Sequence, residues 1–214
     1  MRFADREDAG RHLADALGHL AGTDVVVLGL PRGGVPVAAE VARALHAPLD
    51  VLVVRKLGLP WQPELAMGAV AGVAGSLEEV RNEQVIRQAG VGDDALDEVR
   101  AREIAELRRR ELAYRGDRPA VDVRGRTVVV VDDGLATGST MRAAVAALRS
   151  QSPAAVVVAV PVGSPDTVAR LAKEVDELVC VTAPRGFAAV GQVYADFRPT
   201  SDDEVRAALS GATD

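Results

Sequence analysis

Short runs of apolar residues recur along the chain, and each is followed by glycine or polar residues and then by a stretch with helical periodicity. Runs of this kind are typical of strands that are buried on both faces of a sheet. Strands that alternate with amphipathic helices predict βαβ units, so the expected fold is α/β, with a mostly parallel central sheet flanked by helices. The predicted strands are residues 24–30, 49–54, 128–131, 154–160 and 178–181, with a weaker one at 64–72.

Apolar residues at helical spacing occupy the segments between these strands. After the first strand, Val37, Val41 and Leu45 lie four residues apart and form one stripe. The other predicted helices include a leading one at residues 5–20 with Asp5 as its cap, one that begins after Ser164-Pro165, and a terminal one with a capping box formed by Ser201 and Glu204.

Residues 77–115 depart from this alternation, because they are rich in charge and hold only a thin apolar stripe. We predict a helical insertion here, within a single domain that spans residues 1–214. The run Arg108-Arg109-Arg110 is most simply the solvated face of a long helix. The alternative is a basic patch that reaches a phosphate or a partner subunit, and a homodimer is compatible with the sequence.

The composition narrows the classes of function. The chain has 214 residues and a net charge of -6, which argues against a protein that coats nucleic acid or an anionic membrane. The one cysteine, Cys180, cannot form an internal disulfide, and its apolar surroundings predict a buried strand residue. The acidic N-terminal segment is unlike a signal peptide, and no apolar run reaches the roughly 18 residues of a membrane-spanning helix. We therefore expect a soluble, cytoplasmic protein.

Ligands in parallel sheets bind beyond the carboxyl ends of the strands, which directs attention to residues 128–140. Here four valines lead to Asp132 and Asp133, and carboxylates, which only accept hydrogen bonds, suit a vicinal diol such as the 2′ and 3′ hydroxyls of ribose. Gly134 allows a turn, and a helix then begins within residues 136–140. Successive backbone N–H groups and hydroxyls at a helix start suit a phosphate.

The alternative is an ordinary strand-turn-helix in which Ser139 or Thr140 only caps the helix, but the paired acids favour a ligand site. The segment is not a P-loop, because it lacks the Gly-Lys-Ser/Thr ending. A strand, two acids and an Ala-Thr-Gly-x-Thr loop resemble the signature of the type I phosphoribosyltransferase family. The resemblance implies the fold of that family, with a small hood, and it implies that Asp132 and Asp133 hold the ribose hydroxyls. The remaining residues of the implied phosphoribosyl site, around the 5-phosphate, are Gly134, Ala136, Thr137, Gly138, Ser139 and Thr140.

Two further segments fit the same resemblance. Arg32, Gly33 and Gly34 follow the first strand, where the family keeps its pyrophosphate loop; the glycines let backbone amides approach an anion, and the arginine adds a charge-assisted bond. Arg55 and Lys56 end the second strand and are similar to the Arg-Lys pair that precedes the mobile loop and contacts pyrophosphate in adenine and orotate phosphoribosyltransferases. The alternatives are a plain turn and a solvated strand end. In this predicted mobile loop, Trp61 either helps to close the site or packs locally.

The C-terminal segment, about residues 183–214, holds aromatic residues on which a flat ligand could stack. It is similar, more loosely, to the hood of hypoxanthine-guanine phosphoribosyltransferases, which implies that Phe187 or Tyr194 stacks on a base and that Asp196 contacts a metal ion. The spacing from Phe187 to Gly191 is one residue longer here, which shifts that register. The alternative is that the aromatic side chains pack the final turn against the sheet.

Alanine at position 136 separates this chain from the hypoxanthine-guanine enzymes, which carry an aspartate there as a proton partner for the purine. At position 136 the chain is more similar to the adenine, orotate or uracil phosphoribosyltransferases. The resemblance thus implies a glycosyltransferase of nucleotide metabolism that uses magnesium, binds phosphoribosyl pyrophosphate and moves the 5-phosphoribosyl group to a nitrogenous base or related acceptor, with release of pyrophosphate. Its predicted catalytic residues are Arg55, Lys56, Asp132 and Asp133. The alternatives are a non-catalytic ligand sensor, and hydrolysis or phosphorolysis of nucleoside phosphates at the same site.

Overall fold

A computed structural model describes residues 1–211, so the last three residues of the predicted hood, 212–214, lie outside the described part. The strands are β1 (Val25–Gly29), β2 (Leu49–Val51), β3 (Val53–Leu59), β4 (Gln62–Val73), β5 (Ser76–Arg81), β6 (Thr127–Val131), β7 (Ala155–Val162) and β8 (Glu177–Thr182). The helices are α1 (Arg6–Ala16), α2 (Gly34–Leu45), α3 (Glu83–Ala89), α4 (Asp93–Arg115), α5 (Ser139–Arg149), α6 (Pro165–Leu171) and α7 (Asp202–Gly211).

Five of these strands form a sheet in which all neighbours are parallel, in the order β2-β1-β6-β7-β8. This confirms the predicted α/β fold with a mostly parallel central sheet. Neighbouring side chains in a strand point to opposite faces, and both faces here are apolar. Val129 and Val131 pack in the cluster that includes α1, α2 and α7, whereas Val128 and Val130 pack with Met141 of α5. Helices therefore cover the sheet on both sides, as predicted.

The register of the sheet brings several loops to one edge. Gly29 of β1 pairs with Val131 of β6, and Val131 pairs with Ala159 of β7. Because the strands are parallel and in step, residues 30–34 and 132–138 leave the sheet side by side. This is the edge where parallel sheets bind ligands.

The strands β3, β4 and β5 form a second, antiparallel sheet. The weak strand predicted at 64–72 is therefore β4, which is longer than predicted and antiparallel to its neighbours. Leu59 pairs with Gln62, so Pro60 and Trp61 form the tight turn of a hairpin rather than a long mobile loop. The Trp61 side chain at this tip is 63% exposed, so local packing does not bury it.

The prediction of a helical insertion at 77–115 is wrong over its first residues. Ser76–Arg81 is a strand, β5, and the helices α3 and α4 follow it. The strand lies at the edge of its sheet and carries ion pairs, since Glu79 contacts Arg81 at 2.6 Å and Arg100 at 2.5 Å. A charged edge strand of this kind lacks the apolar alternation by which strands are recognised.

Helix α4 confirms the long helix predicted around the arginine run. Arg109 and Arg110 each contact Glu106 on the same helix at 2.7 Å, and the side chain of Arg109 is 63% exposed. The run therefore lies on a solvated helix face, as the simpler interpretation predicted. Among the helices of residues 1–211, none combines the length and the apolar character that crossing a membrane requires.

The C-terminal segment crosses the carboxyl edge of the sheet before it ends in α7. It contains one 3-10 turn, Val190–Val193, and it is bonded to the start of the chain, since the Phe3 N–H donates to the Val193 carbonyl at 2.7 Å. The predicted capping box of α7 is present, because the Ser201 N–H donates to Glu204 Oε2 at 2.8 Å and the Glu204 N–H donates to Ser201 Oγ at 3.2 Å. The start of the chain and the C-terminal segment thus meet beside the site.

Candidate active site

Asp132 and Asp133 lie directly beyond β6, and each has one carboxylate oxygen tethered. Asp132 Oδ1 accepts from the Asp133 N–H at 2.8 Å, and Asp133 Oδ2 accepts from Arg6 Nε at 2.9 Å and contacts Arg6 Nη2 at 2.8 Å. The other two oxygens, Asp132 Oδ2 and Asp133 Oδ1, have no hydrogen-bond partner within residues 1–211, yet neither is sealed from solvent. The adjacent acids therefore offer one open acceptor each.

The surroundings of Asp132 and Asp133 disfavour the charged form of both side chains. Burial, and then the neighbouring Asp133 carboxylate, hold the pKa of Asp132 well above its ordinary value. Burial also raises the pKa of Asp133, while the Arg6 guanidinium acts in the opposite direction. Two desolvated carboxylates side by side are favourable as anions only when donors or cations approach them. The arrangement is thus suited to a ligand that brings hydroxyl donors.

The two glycines of the predicted pyrophosphate loop contact these acids directly. A methyl group at Gly33 would lie 2.0 Å from Asp133 Oδ2, and one at Gly34 would lie 2.7 Å from the Val131 carbonyl oxygen and 2.8 Å from Asp132 Cα. Gly33 has a φ of -63°, so glycine is required here for space rather than for a left-handed backbone. The fold therefore brings the first and the second predicted motif into contact.

Backbone amides in the first loop are open. Within residues 1–211, the N–H groups of Arg32 and Gly33 have no acceptor, whereas the Gly34 N–H donates to the Leu30 carbonyl at 3.0 Å. Helix α2 begins at Gly34, and the peptide bond between Pro31 and Arg32 is cis. Free amides at a helix start attract an anion. The Arg32 side chain, half exposed, lies 3.7 Å from the carboxylate of Asp202.

The loop before α5 offers a longer row of open amides. In the described part of the chain, the N–H groups of Thr137, Gly138, Thr140 and Met141 have no acceptor, and that of Ser139 has only Thr137 Oγ1 at 3.4 Å. Gly138 has a φ of 76°, a conformation that favours glycine. These amides converge at the N-terminus of α5, where the helix dipole adds to their attraction for a phosphate.

Thr167 of α6 fixes this loop, and sequence reasoning did not identify it. Its Oγ1 donates to the Ala136 carbonyl at 2.8 Å, and its side chain is buried. A methyl group at Gly138 would lie 2.8 Å from Thr167 Cγ2, so the two residues are in close contact. The contact spans 31 positions of the chain, and no local pattern signals it.

Arg55 and Lys56 lie on β3 and line a different cavity. This cavity, about 420 Å³, lies between the β3–β4 hairpin and α4. Arg55 donates to Glu103 Oε2 through Nη2 at 2.6 Å and through Nε at 2.9 Å, and Lys56 Nζ lies 3.2 Å from Glu64 Oε2. Neither cation forms a hydrogen bond or ion pair with the two acids beyond β6. The structure therefore does not join these two predicted residues to the rest of the site.

Tyr194 is not available to stack on a base, and this prediction is wrong. The side chain is 4% exposed, its ring stacks on Phe197 with centroids 4.9 Å apart, and its hydroxyl donates to the Asp133 carbonyl at 2.6 Å. Burial raises the pKa of this hydroxyl, so it stays a donor. The alternative weighed from the sequence, that aromatic residues pack the C-terminal segment against the sheet, describes Tyr194 correctly.

Phe187, the other predicted stacking residue, is partly buried against the same aromatic cluster. The neighbouring Val190 closes on the turn after the acids, since a methyl group at Gly134 would lie 2.4 Å from Val190 Cγ1. The C-terminal segment therefore does cover the strand end, as a hood would. Whether Phe187 contacts a ligand stays a prediction.

Asp196, the predicted metal contact, has its side-chain contacts outside the group formed by Asp132 and Asp133. Its Oδ1 accepts from the Arg198 N–H at 3.0 Å, and it lines a surface cavity of about 340 Å³ between α1, α2 and α7. It makes no hydrogen bond or ion pair with Asp132 or Asp133. Within residues 1–211, no group of three or more His, Cys, Asp or Glu residues could hold a metal ion.

Arg6 is the principal site residue that sequence reasoning missed. It lies in the first turn of α1, 127 positions before Asp133. Acidic residues are favoured in the first turn of a helix, because the N-terminus of a helix is electropositive. An arginine there is unfavourable for the helix alone, and this was the one local signal that could have identified it.

The fold and these contacts place two adjacent acids and two sets of open backbone amides at the carboxyl edge of a parallel sheet. The phosphoribosyl transferase domain family model matches residues 5–198. The chain therefore belongs to this family of transferases, which confirms the resemblance stated from the sequence.

Similar proteins come from bacteria. Two Mycobacterium tuberculosis proteins, MT0597 of strain CDC 1551 and Rv0571c of strain H37Rv, are named as candidate phosphoribosyl transferases. Each is 53% identical to this chain over 212 residues, which are 98% of this chain and 47% of the relative. The chain thus spans about half the length of these curated relatives.

Solved structures agree with the fold. The crystal structure of TT1426 from Thermus thermophilus has 46% sequence identity and a TM-score of 0.87, with 100% of both chains covered. The structure of AQ2163 from Aquifex aeolicus has 11% identity and a TM-score of 0.50 over 95% of this chain and 85% of that one, which supports the fold alone.

Proposed function

We propose that this chain is a magnesium-dependent phosphoribosyltransferase that binds 5-phosphoribosyl pyrophosphate. It transfers the phosphoribosyl group to a nitrogenous base or a related acceptor and releases pyrophosphate. The observation that carries the proposal is the pair of open acid oxygens, Asp132 Oδ2 and Asp133 Oδ1, next to the row of open amides at residues 137–141.

The open groups fit the parts of this donor. A vicinal diol supplies two hydroxyl donors, which match the two open acid oxygens. A 5-phosphate matches the amides at the start of α5, and the pyrophosphate matches the amides of Arg32 and Gly33 at the start of α2. Gly33 and Gly34 contact the acids, and the acids directly precede the amide row in the chain, so both proposed anion sites adjoin the proposed ribose site. In the donor, both phosphate groups are likewise attached to the ribose.

Catalysis of this reaction requires mainly that the protein position the ribose ring and neutralise the charge of the departing pyrophosphate. The bond between ribose C1 and the pyrophosphate oxygen breaks with its electron pair on the leaving group, and the acceptor nitrogen forms the new bond to C1. The acids fix the ring, and amides and cations near the first loop stabilise the departing anion. Ala136 carries no ionisable group, so a proton from the acceptor leaves through another group or water.

In this proposal the magnesium ion would enter the site as a complex with the donor. The described residues offer no cluster of metal-ligating side chains, so the ion would be held by oxygens of the donor and by water, which Mg²⁺ retains readily. It would supply neutralisation of the pyrophosphate charge. The protein residues that act beside it are Arg32, Arg55 and Lys56, each of which must exchange its present carboxylate partner for the donor.

These ion pairs also favour a second candidate function, a non-catalytic sensor of phosphoribosyl ligands. All three cations expected at the pyrophosphate are paired with Asp202, Glu103 or Glu64, whereas the ribose and 5-phosphate groups are open. A protein that only senses a ribose 5-phosphate ligand needs the open half alone. The two functions differ in whether pyrophosphate is released.

Calorimetric titration with the donor, with and without Mg²⁺, tests the binding site. We expect wild type to bind, and we expect the double variant Asp132→Asn/Asp133→Asn to bind at least about tenfold more weakly, because both carboxylate acceptors lose their charge. The matched control is Asp93→Asn/Asp94→Asn, an exposed pair of neighbouring aspartates at the start of α4. Equal binding by wild type and the Asp132/Asp133 variant would refute the site.

A screen for pyrophosphate release then separates enzyme from sensor. Purine and pyrimidine bases are supplied with the donor and Mg²⁺, and pyrophosphate is measured. Release that depends on one base identifies the acceptor. Donor binding without release for any base would support the sensor.

A further inference from the structure

Arg6 uses its whole guanidinium group at the site. Nε and Nη2 both contact Asp133 Oδ2, at 2.9 and 2.8 Å, and Nη1 donates to the Arg198 carbonyl at 2.8 Å. The guanidinium carbon lies 4.1 Å from the centroid of the Phe197 ring, and the side chain is only 12% exposed. Hydrogen bonds, stacking and burial together hold this cation in one orientation.

The place of Arg6 in α1 is not explained by helix stability. It is the first residue of the helix, next to the cap Asp5, where a positive charge opposes the helix dipole. The following residues, Glu7 and Asp8, have the sign that this end of a helix prefers. The interaction that favours an arginine at this position is therefore its contact with Asp133.

Arg6 and Gly33 enclose the same oxygen of Asp133. The hypothetical methyl group at Gly33 lies 2.0 Å from Asp133 Oδ2 and 3.1 Å from Arg6 Nε. Tyr194 holds the backbone of Asp133 through its carbonyl at 2.6 Å. With Oδ2 and the backbone both fixed, Oδ1 is the oxygen of Asp133 that remains for a ligand.

We infer that Arg6 is a positioning residue for the ribose of the donor: it fixes Asp133 so that Oδ1 faces the diol, and it compensates one of the two charges of the acid pair. The inference rests on the proposed function, because it assumes a ribose ligand. Arg6 itself need not touch the donor.

The charges around the pair support this role. The groups that face Asp132 and Asp133 are Arg6 from α1 and the hydroxyl of Tyr194 from the C-terminal segment. Arg6 lowers the pKa of both acids, against the larger effect of burial. Without this cation both pKa values rise further, and the acids take up protons at higher pH. A carboxylate that binds a diol would then be lost earlier as pH falls.

The test compares Arg6→Gln and Arg6→Lys with wild type by calorimetric titration of the magnesium complex of the donor from pH 5 to pH 8. The matched control is Arg11→Gln, which removes an arginine with a 57% exposed side chain from the same helix. We expect Arg6→Gln to bind about tenfold more weakly at neutral pH, and Arg6→Lys to recover part of that loss. The acidic limit of binding should move to higher pH in Arg6→Gln, and Arg11→Gln should match wild type.

Thermal unfolding of each variant separates positioning from stability. Binding that falls only in proportion to the folded fraction, with the acidic limit unchanged and no recovery in Arg6→Lys, would overturn the inference and make Arg6 a structural residue. Equal binding by wild type and Arg6→Gln at every pH would also overturn it, and would leave the proposed function intact. Absence of donor binding by wild type would instead refute the proposed function and the inference with it.

Discussion

The two halves of the proposed donor site differ in how far the fold prepares them. At the ribose and 5-phosphate, Asp132 and Asp133 each keep one oxygen open, and the amides of Thr137, Gly138, Thr140 and Met141 lack acceptors within residues 1–211. At the pyrophosphate, Arg55 and Lys56 already contact carboxylates. Groups that are open and fixed need no rearrangement on binding, whereas a paired cation must give up its partner first. We therefore expect the ribose phosphate to dock into a formed site and the pyrophosphate to require exchange of ion pairs.

The difference follows from where each half lies in the fold. The acids lie at the end of the buried sheet, and the side chains of Arg6 and Asp133 are 12% and 16% exposed. Arg55 and Lys56 belong to a hairpin of the second, antiparallel sheet, with 28% and 40% of their side chains exposed. The Lys56–Glu64 pair is exposed, so its exchange costs little, whereas the Arg55–Glu103 pair is largely buried and costs more to break. A prepared half and an adaptable half can thus coexist in one domain.

The largest effect is expected from Gly34→Ala, which disturbs the contact between the predicted pyrophosphate loop and the acids of the prepared half. Alanine normally stabilises a helix relative to glycine, but here the new methyl group would lie 2.7 and 2.8 Å from backbone atoms of Val131 and Asp132. We expect the free energy of unfolding to fall by about 1–3 kcal/mol, with loss of donor binding. Urea denaturation and calorimetry measure both.

The control for this variant is Gly18→Ala, since no atom lies within 4 Å of a methyl group there. It should be at least as stable as wild type. A Gly34→Ala variant with wild-type stability and binding would show that the contact between the first loop and the acids is not required.

Lys56→Met removes a cation of the adaptable half and should show that the two halves contribute separately to binding. We expect donor binding in the presence of Mg²⁺ to weaken by about tenfold, because a cation of the leaving-group site is removed. Binding of ribose 5-phosphate, which lacks the pyrophosphate, should stay as in wild type. Lys173→Met, at the exposed second lysine of the chain, is the control. Equal weakening for both ligands would contradict the division into halves.

Thr167→Val should produce the smallest effect, confined to the phosphate loop. Valine keeps the methyl group that contacts Gly138 but cannot donate to the Ala136 carbonyl. The loss of one buried hydrogen bond, about 1 kcal/mol, should weaken ribose 5-phosphate binding about fivefold. Thr23→Val removes a similar bond, to the Leu20 carbonyl at 2.7 Å, at an exposed position and should leave binding unchanged. A Thr167→Val variant that binds like wild type would show that the loop is held by other contacts.

Much of the fold could be predicted because local sequence patterns mark its parallel strands and the loops that follow them. The parallel strands are continuous apolar runs, and the acids and glycines follow them directly, so the edge at which they meet follows from the parallel order. The strand β5 was missed because it is an edge strand whose charges pair with side chains of its surroundings. Its sequence has no apolar alternation, which is the signal for a half-buried strand.

The site could be predicted only as far as its local motifs. Asp132 and Asp133 follow a strand and could be predicted as site residues, but Arg6, which pairs with Asp133, lies 127 positions away from it. The sequence left two roles open for the aromatic residues of the C-terminal segment, stacking on a ligand and packing against the sheet. It did not show how much of each ring the protein itself buries, and Tyr194 is covered by Phe3 and Phe197. Long-range contacts decide such roles, and one sequence does not carry them.

The proposed site depends above all on the open oxygens of Asp132 and Asp133, which would receive the ribose diol. Its most direct test is a calorimetric comparison of ribose 5-phosphate with 2-deoxyribose 5-phosphate, on wild type and on Asp132→Asn/Asp133→Asn. We expect wild type to bind the ribose form about tenfold more tightly, since the 2-deoxy form lacks one hydroxyl that donates to a carboxylate, and we expect this preference to disappear in the variant. An equal preference in both proteins, or none in wild type, would contradict it.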